Sequence, residues 1–470
     1  MIDSNKPIGM VKRREFLRQG TLGIGSLALS HLMTRDVEAS GHHHPPRAKN
    51  VIFLHMVGGP SQMDTFDPKP ALDKWDGRSL PDELTRGQKF AFITPQARAI
   101  KSPYAFKPRG KSGTVMSELF PHLATVADDI AVIRSMRTNE INHGSGELFF
   151  HTGHGRMGRP SFGAWTTYGL GTENRDLPAY VVLKDGPTAA GTSVWSSGFL
   201  SSRHQGVEFR QGRQPIHFLD SPEFTSRSER SEVVDAIKRL NQKALERYRD
   251  PEIATRISQY ELAYRMQTSV PDLVDLTREP EHILRQYGLR DDQGQESGSD
   301  FARNCLLARR LVEKGVRFVQ LYQTDWDHHG LAGINLGQPL DDLCRQIDRP
   351  SVALIKDLKQ RGMLDDTLVI WGGEFGRTPQ GEPREAIGRD HHIETYAMWL
   401  AGGGVKGGQT LGETDDLGYY SIRDPVHVHD LQATILHLLG LDHKRLIYRF
   451  QGRDFRLTDV AGEVVEKLLA

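Results

Sequence analysis

The sequence has little cysteine and no excess of charge of either sign. Its two cysteines, Cys305 and Cys344, stand in no metal-ligand spacing such as C-x-x-C. A framework of several disulfides is therefore excluded. One disulfide between the two cysteines is the alternative, and two buried free thiols are the preferred interpretation. The 60 basic residues balance 60 acidic ones, so no overall field favours nucleic acid or an anionic membrane. We expect no nucleic-acid partner.

The sequence also lacks an apolar run of the roughly 20 residues that a membrane-spanning helix needs. The apolar segment from Thr21 to Met33 is shorter, follows the pair Arg13-Arg14 and precedes the small-residue pattern Val37-Glu38-Ala39. This order is similar to that of a twin-arginine signal peptide; a basic amphipathic N-terminus is the alternative. We predict a signal peptide over residues 1–39, export by the twin-arginine machinery, a periplasmic or secreted protein and no stable membrane span.

Residues 40–49 are predicted to be a linker, because three histidines, His42 to His44, are followed there by two prolines. A metal-binding histidine tract is the alternative interpretation. Hydrophobic residues make up 37% of the sequence, which is enough for a large core. We predict one domain over residues 50–470.

Short β-rich runs alternate with helical stretches in this domain. The predicted strands are Val51–Met56, Ile130–Ile133, Tyr180–Lys184, Arg317–Tyr322, Thr367–Trp371 and Ala397–Ala401. The predicted helices include Phe301–Lys314, Asp341–Arg361 and Asp430–Leu439. Near-continuous apolar strands separated by helices indicate an α/β fold with a doubly wound, mainly parallel sheet. The polar, helical region 209–288 predicts a helical insertion.

Polar residues follow three of the predicted strands. They are Gly58 and Ser61 after the first strand, Asp327 and His329 after the strand at Arg317, and Glu374 and Arg377 after the strand at Thr367. Because ligands bind beyond the carboxyl ends of strands in such sheets, we expect these residues to share one crevice.

Carboxylates and imidazoles in these segments suit a divalent cation. Asp327 and His329 alternate along an extended segment; a helix-capping aspartate is the alternative. Glu374 follows a buried strand, where a carboxylate needs a metal or a partner, and Arg377 is that partner in the alternative interpretation. One imidazole of Arg389-Asp390-His391-His392 would complete a mixed oxygen and nitrogen set. We predict a divalent metal ion, with zinc, manganese and iron all suited to these donors.

Many ordered blocks of the chain carry a family resemblance. They include Gly58-Gly59-Pro60-Ser61, Asn142-His143-Gly144, Arg159-Pro160-Ser161-Phe162-Gly163, Trp326-Asp327-His328-His329, Glu374-Phe375-Gly376-Arg377-Thr378-Pro379 and Gly388-Arg389-Asp390-His391. These blocks resemble the bacterial domain-of-unknown-function family numbered 1501, from about Asn50 to the C-terminus.

A wider resemblance is to sulfatases and the alkaline phosphatase superfamily. Asp327 with His329 is similar to the metal motif of that superfamily, and His391 is similar to its late histidine. The resemblance implies an alkaline phosphatase/sulfatase-like fold in which these residues and Glu374 bind metal. At the end of the first strand, where a metal-binding aspartate is usual, this sequence has Val57-Gly58. That difference implies that one of the two usual metal positions is missing.

The segment from His143 to Gly153 resembles the nucleophile helix of sulfatases, with His143 at the nucleophile position. His143 would then act as a nucleophile or general base, and Arg377 would clamp an anion. Ser145 is a substitute nucleophile at a predicted helix start, or an ordinary N-cap.

These residues lead to the hypothesis of a metal-assisted hydrolase of sulfate or phosphate esters. Its substrate would be a small molecule or a glycan ester, with sulfated carbohydrate as one class. The alternative is a non-catalytic protein that keeps one structural metal and recognises a glycan or an envelope partner, because fold alone does not determine function.

Overall fold

The structure is a computed structural model that describes residues 41–81, 83, 90–210, 227–248 and 250–470. The predicted signal peptide, residues 1–39, lies outside the described residues, as does the first residue of the predicted linker. Within the described ranges, no helix is both long and apolar enough to cross a membrane.

A nine-stranded sheet forms the centre of the described fold. Its strands are β1 Asn50–Met56, β2 Ile130–Arg137, β3 Tyr180–Lys184, β4 Val207–Phe209, β5 Phe318–Gln323, β6 Thr367–Gly372, β7 Tyr396–Ala401, β8 Gln409–Leu411 and β9 Val426–His427. The order is β8-β2-β7-β6-β1-β5-β3-β4, and β9 also pairs with β2. Strand β7 pairs antiparallel with β2 and β6, whereas the other ladders of this sheet are parallel.

Helices and small two-stranded ladders surround this sheet. The α-helices are Gln62–Thr65, His143–Thr152, Phe162–Leu170, Arg227–Tyr248, Pro251–Val274, Glu281–Gln286, Asp300–Glu313, Gln338–Gln360 and Val428–Leu438. The 3-10 helices are Pro70–Lys74, Leu123–Asp129, Gly191–Trp195, Ser202–His204, Leu276–Arg278 and Glu466–Leu468. The antiparallel ladders pair Arg98–Ala99 with Gln380–Gly381, Phe106–Arg109 with Thr114–Ser117, Gly376–Arg377 with His391–His392, Glu413–Thr414 with Ser421–Arg423, and Tyr448–Phe450 with Arg453–Phe455.

Both faces of the sheet are covered by helices. Every residue of β1 is buried, and Ile52, Leu54 and Met56 share one apolar core with the helices Asp300–Glu313 and Gln338–Gln360. On the opposite face the ring of Phe53 lies 5.3 Å from that of Phe150, in the helix His143–Thr152. Strands buried on both faces must be apolar along their whole length, as the sequence pattern predicted. The predicted α/β class with a doubly wound, mainly parallel sheet is confirmed.

The segment predicted as a linker packs against the rest of the chain. The backbone N–H groups of Arg47 and Ala48 donate to the carbonyl of Leu438, at 2.8 and 2.9 Å, and the N–H of His43 donates to that of Gly440 at 2.7 Å. These bonds satisfy carbonyls at the end of the helix Val428–Leu438. Residues 43–48 are therefore part of the folded body.

Two long helices, Arg227–Tyr248 and Pro251–Val274, lie in the region predicted as an insertion. The bounds of that insertion, residues 209–288, stay a prediction. Both cysteines are buried free thiols, in agreement with the preferred interpretation of the sequence.

Candidate metal centre

Three neighbouring strands bring the polar loops to one edge of the sheet. His55, near the end of β1, pairs with Gly372 at the end of β6 and with Tyr322 near the end of β5. Because the strands are parallel, the loops that follow them meet there. The short ladder that pairs Arg377 with His391 adds a fourth segment.

Three imidazole nitrogens converge on one carboxylate oxygen at this edge. Asp327 Oδ1 lies 2.9 Å from His329 Nε2, 3.1 Å from His391 Nε2 and 3.2 Å from His143 Nε2. The Nε2 atoms of His329 and His391 are 3.0 Å apart. The structure thus brings three of the four predicted metal residues together and adds His143 to them; we call Asp327, His143, His329 and His391 the histidine–aspartate cluster.

The ring of His391 is oriented with a lone pair toward the cluster. Its Nδ1 lies 2.7 Å from the carbonyl oxygen of Ile141, and since a carbonyl only accepts, Nδ1 carries the hydrogen. Burial lowers the pKa of His391 to about 4, although Asp327 acts to raise it. The neutral ring therefore directs its unprotonated Nε2 at the carboxylate oxygen of Asp327, an arrangement that fits a shared cation.

Glu374 lies behind His143 and touches the cluster through that ring. Its Oε1 accepts a hydrogen bond from His143 Nδ1 at 2.7 Å and another from Gly58 N at 3.0 Å, and its Oε2 lies 3.5 Å from His55 Nε2. The Glu374 side chain is fully buried. The geometry does not support the prediction that Glu374 binds metal directly, because its carboxylate is occupied in holding His143.

His143 carries a proton when no ion is bound. Burial acts to lower its pKa, but the hydrogen bonds to Asp327 and Glu374 outweigh burial and raise the pKa of His143 to about 9. A protonated imidazole has no lone pair with which to attack or to accept a proton. The predicted roles of nucleophile and general base are therefore disfavoured in the metal-free state, and that of a proton donor is favoured.

Arg377 is buried, and its donors are used within the protein. The residue is 1% exposed; its Nε donates to the Gly59 carbonyl at 2.9 Å, and its Nη2 to Asp327 Oδ1 at 2.6 Å and to the Gly58 carbonyl. The predicted anion clamp is not supported, since a guanidinium in this position orients Asp327 instead.

Ser145 is the third residue of the helix His143–Thr152, whose N-cap is Asn142. The interpretation of Ser145 as an ordinary N-cap is therefore wrong. Its hydroxyl donates to the Asn142 carbonyl at 3.3 Å. Among the described residues, no hydrogen bond joins Ser145 to the histidine–aspartate cluster, and its role as a nucleophile stays a prediction.

Gly58 explains why no carboxylate stands at the end of β1. Its φ is +118°, and a Cβ atom there would lie 2.6 Å from the backbone nitrogen of Asp327. No side chain fits without moving the loop that carries Asp327. This close approach lets the N–H of Gly58 donate to Glu374 and its carbonyl accept from Arg377. A carboxylate side chain at position 58 is excluded by the lack of space for its Cβ atom.

Sequence reasoning missed the part played by Asp390, which is 3% exposed. Its Oδ2 accepts hydrogen bonds from Ala91 N at 3.1 Å and Phe92 N at 2.9 Å, and its Oδ1 lies 3.9 Å from His329 Nδ1. The only available signal was its place beside His391, because residues 91 and 92 lie about three hundred positions away in the chain.

A family model described as "Protein of unknown function (DUF1501)" matches residues 48–469. A search of curated proteins gives no significant sequence match. Each of three similar solved structures covers 83 or 84% of this chain. A phosphonate monoester hydrolase from Silicibacter pomeroyi is 13% identical, with 73% of its own chain covered and a TM-score of 0.33. A sulfatase from Pseudoalteromonas sp. is 12% identical, with 68% of its own chain covered and a TM-score of 0.34. An alkaline phosphatase from the Antarctic bacterium TAB5 is also 12% identical, with 98% of its own chain covered and a TM-score of 0.36. At these TM-scores, the chemistry of this chain has to be argued from its own residues.

Proposed function

The chain belongs to the DUF1501 family, whose description assigns no activity, and from its site we propose that it is an exported, metal-assisted hydrolase of sulfate or phosphate esters. The observation that carries this proposal is the convergence of His143, His329 and His391 on Asp327. Two lone pairs facing each other, on His391 Nε2 and Asp327 Oδ1, are separated by 3.1 Å. Without a cation between them such a pair is repulsive.

The residues present fit a divalent ion. Asp327, His329 and His391 would hold it, since their donor atoms already lie about 3 Å from one another, close to the spacing of neighbouring ligands around zinc. The Ile141 carbonyl and Arg377 would orient His391 and Asp327 from behind, as the outer partners of metal ligands do. A bound divalent ion would supply Lewis acidity toward an ester oxygen.

His143 is proposed to donate a proton to the leaving group. Glu374 fixes the ring through Nδ1 at 2.7 Å, and the buried Nε2 points at Asp327 Oδ1 at 3.2 Å, although the His143 side chain as a whole is 24% exposed. In the metal-free state the hydrogen bonds to Asp327 and Glu374 raise the pKa of His143 to about 9, above neutral pH. We propose that the ring keeps this proton when the ion binds and passes it to the departing oxygen as water attacks the sulfur or phosphorus and the ester bond breaks.

Charge explains the choice of an anionic ester. With the ion bound and His143 protonated, the positive charges of the ion, Arg377 and His143 exceed the three negative charges of Asp327, Glu374 and Asp390. The Asp327 side chain is 35% exposed, so this excess is accessible from outside. A sulfate or phosphate group, free or on a carbohydrate, has the complementary charge.

Turnover of simple esters tests this proposal. The protein purified without chelator and supplied separately with zinc, manganese or iron(II) should hydrolyse 4-nitrophenyl sulfate or 4-nitrophenyl phosphate. Asp327→Asn should lower kcat/KM at least about 100-fold, because the variant loses the charged ligand. His282→Ala, an exposed histidine on the helix Glu281–Gln286, is the matched control and should keep full activity. A wild-type protein that binds metal but turns over neither ester would reject the hydrolase.

A binding protein with one structural ion is the second candidate function. Arg377 is buried, and the Ser145 hydroxyl donates to the start of its own helix, so the hydrogen bonds shown for these two groups are made within the protein. A metal-bound but inactive wild type in the ester assay would favour this candidate, with a glycan or an envelope component as its partner.

We also propose export by the twin-arginine machinery, on the strength of Arg13-Arg14 and the weakly apolar segment after them. Replacing both arginines by lysine should leave the precursor in the cytoplasm, as fractionation and immunoblotting would show. Undiminished export of the double variant would contradict the assignment.

A further inference from the structure

An exposed aromatic ring stands at the histidine–aspartate cluster. Phe92 is 56% exposed, yet its ring meets that of His329 edge-on at 5.2 Å and that of His391 at 5.9 Å. Single exposed apolar side chains are ordinary on protein surfaces. The position of Phe92, against two proposed metal ligands, is what sets this ring apart.

The backbone around Phe92 is held in place by two carboxylates. Asp390 accepts hydrogen bonds from the N–H groups of Ala91 and Phe92. Glu382 accepts from Thr94 N at 2.6 Å and from Thr94 Oγ1 at 2.9 Å. Asp390 is also the residue that lies beside His329 Nδ1. One buried carboxylate therefore sets both the position of the ring and the surroundings of a proposed ligand.

The cluster has a second aromatic neighbour on its inner side. Phe375 is fully buried, and its ring lies 4.4 Å from that of His391 and 5.0 Å from that of His143. Phe375 can only pack, because no solvent reaches it. More than half of the surface of Phe92 is exposed beside the same imidazoles. Its ring can therefore form an apolar wall of a binding site, against which a bound molecule packs.

We propose that Phe92 is a specificity-determining residue that selects esters whose alcohol part presents a flat apolar face. An aryl ring or the C–H face of a sugar ring meets this description, and both pack against aromatic side chains. The inference rests on the proposed function, because it assigns the charged half of the substrate to the metal centre and the apolar half to Phe92.

Equilibrium binding of phosphonates, which have no ester bond to hydrolyse, tests the inference without turnover. The metal-loaded protein would be titrated with methylphosphonate, phenylphosphonate and a C-linked glucosyl methylphosphonate, and its metal content measured beforehand. Phe92→Ala should weaken phenylphosphonate binding by about tenfold, as expected for the loss of an aromatic contact, and leave methylphosphonate binding within about twofold. Phe92→Trp should restore the binding of phenylphosphonate. The response of the glucosyl phosphonate to Phe92→Ala tells a sugar face from an aryl ring.

Tyr260→Ala, a 51% exposed aromatic residue on the helix Pro251–Val274, is the matched control and should change none of the three affinities. Equal loss of methylphosphonate and phenylphosphonate binding in Phe92→Ala, or no loss of either, would overturn the inference and leave the hydrolase standing. A wild-type protein that binds metal but none of the three anions would reject the proposed function, and the role of Phe92 with it.

Discussion

His391→Ala is expected to lose the divalent ion that the wild-type protein retains through purification, at about one ion per chain. His391 Nε2 lies 3.0 Å from His329 Nε2 and 3.1 Å from Asp327 Oδ1, so its removal takes away one of three proposed ligands. Loss of an outer partner of a ligand costs 10–100-fold in metal affinity, and loss of a ligand should cost more than about 100-fold. Elemental analysis after gel filtration in chelator-free buffer measures the result.

The control for this experiment is again His282→Ala, which removes an imidazole from the surface. It should retain the wild-type metal content. Two ions per chain in the wild type, or an ion kept in full by His391→Ala, would show that other residues hold the metal.

Asp64→Ala is expected to destabilise the fold by ~3–5 kcal/mol, because it leaves a buried arginine without its counter-ion. Arg389 Nε and Nη2 donate to the two oxygens of Asp64, at 2.8 and 3.2 Å, and both side chains are fully buried. Asp64 lies in the short helix Gln62–Thr65, all four residues of which are buried.

Chemical denaturation measures this effect. Asp366→Ala is the matched control, because the Lys49–Asp366 pair has side chains 56% and 49% exposed and such pairs contribute little. Asp64→Asn, which keeps the volume, should lie between wild type and Asp64→Ala. If Asp64→Ala were no less stable than Asp366→Ala, the buried pair would not stabilise the fold as argued. Since Arg389 precedes Asp390 and His391, we also expect Asp64→Ala to weaken metal binding.

Much of the fold followed from local sequence pattern. A strand buried on both faces is apolar throughout, so all six predicted strands are found, and β3 has its predicted ends, Tyr180 and Lys184. The direction of a strand leaves no such signal. The antiparallel course of β7 and the continuation of β2 to Arg137 depend on pairing with distant segments, which periodicity does not report.

The candidate site was predictable where its residues follow strands directly. Asp327 and His329 come shortly after β5, and their place at the edge shared with the loops after β1 and β6 was expected from the topology of a parallel sheet. The place of His391, which precedes the antiparallel strand β7, rested on the family resemblance instead. The contacts that sequence missed join loops far apart in the chain, such as His143 with Glu374 and Phe92 with Asp390. Whether a carboxylate faces a metal or a neighbouring imidazole depends on loop conformation, which is why the sequence did not reveal the bond between Glu374 and His143.

One divalent ion is proposed to bind among Asp327, His329 and His391. Anomalous diffraction from crystals of protein purified without chelator, recorded across the zinc, iron and manganese edges, tests this site. We expect a single anomalous peak per chain, ~2.0–2.2 Å from His329 Nε2, His391 Nε2 and an oxygen of Asp327. No peak at these residues, or a second peak of equal height elsewhere in the chain, would contradict it.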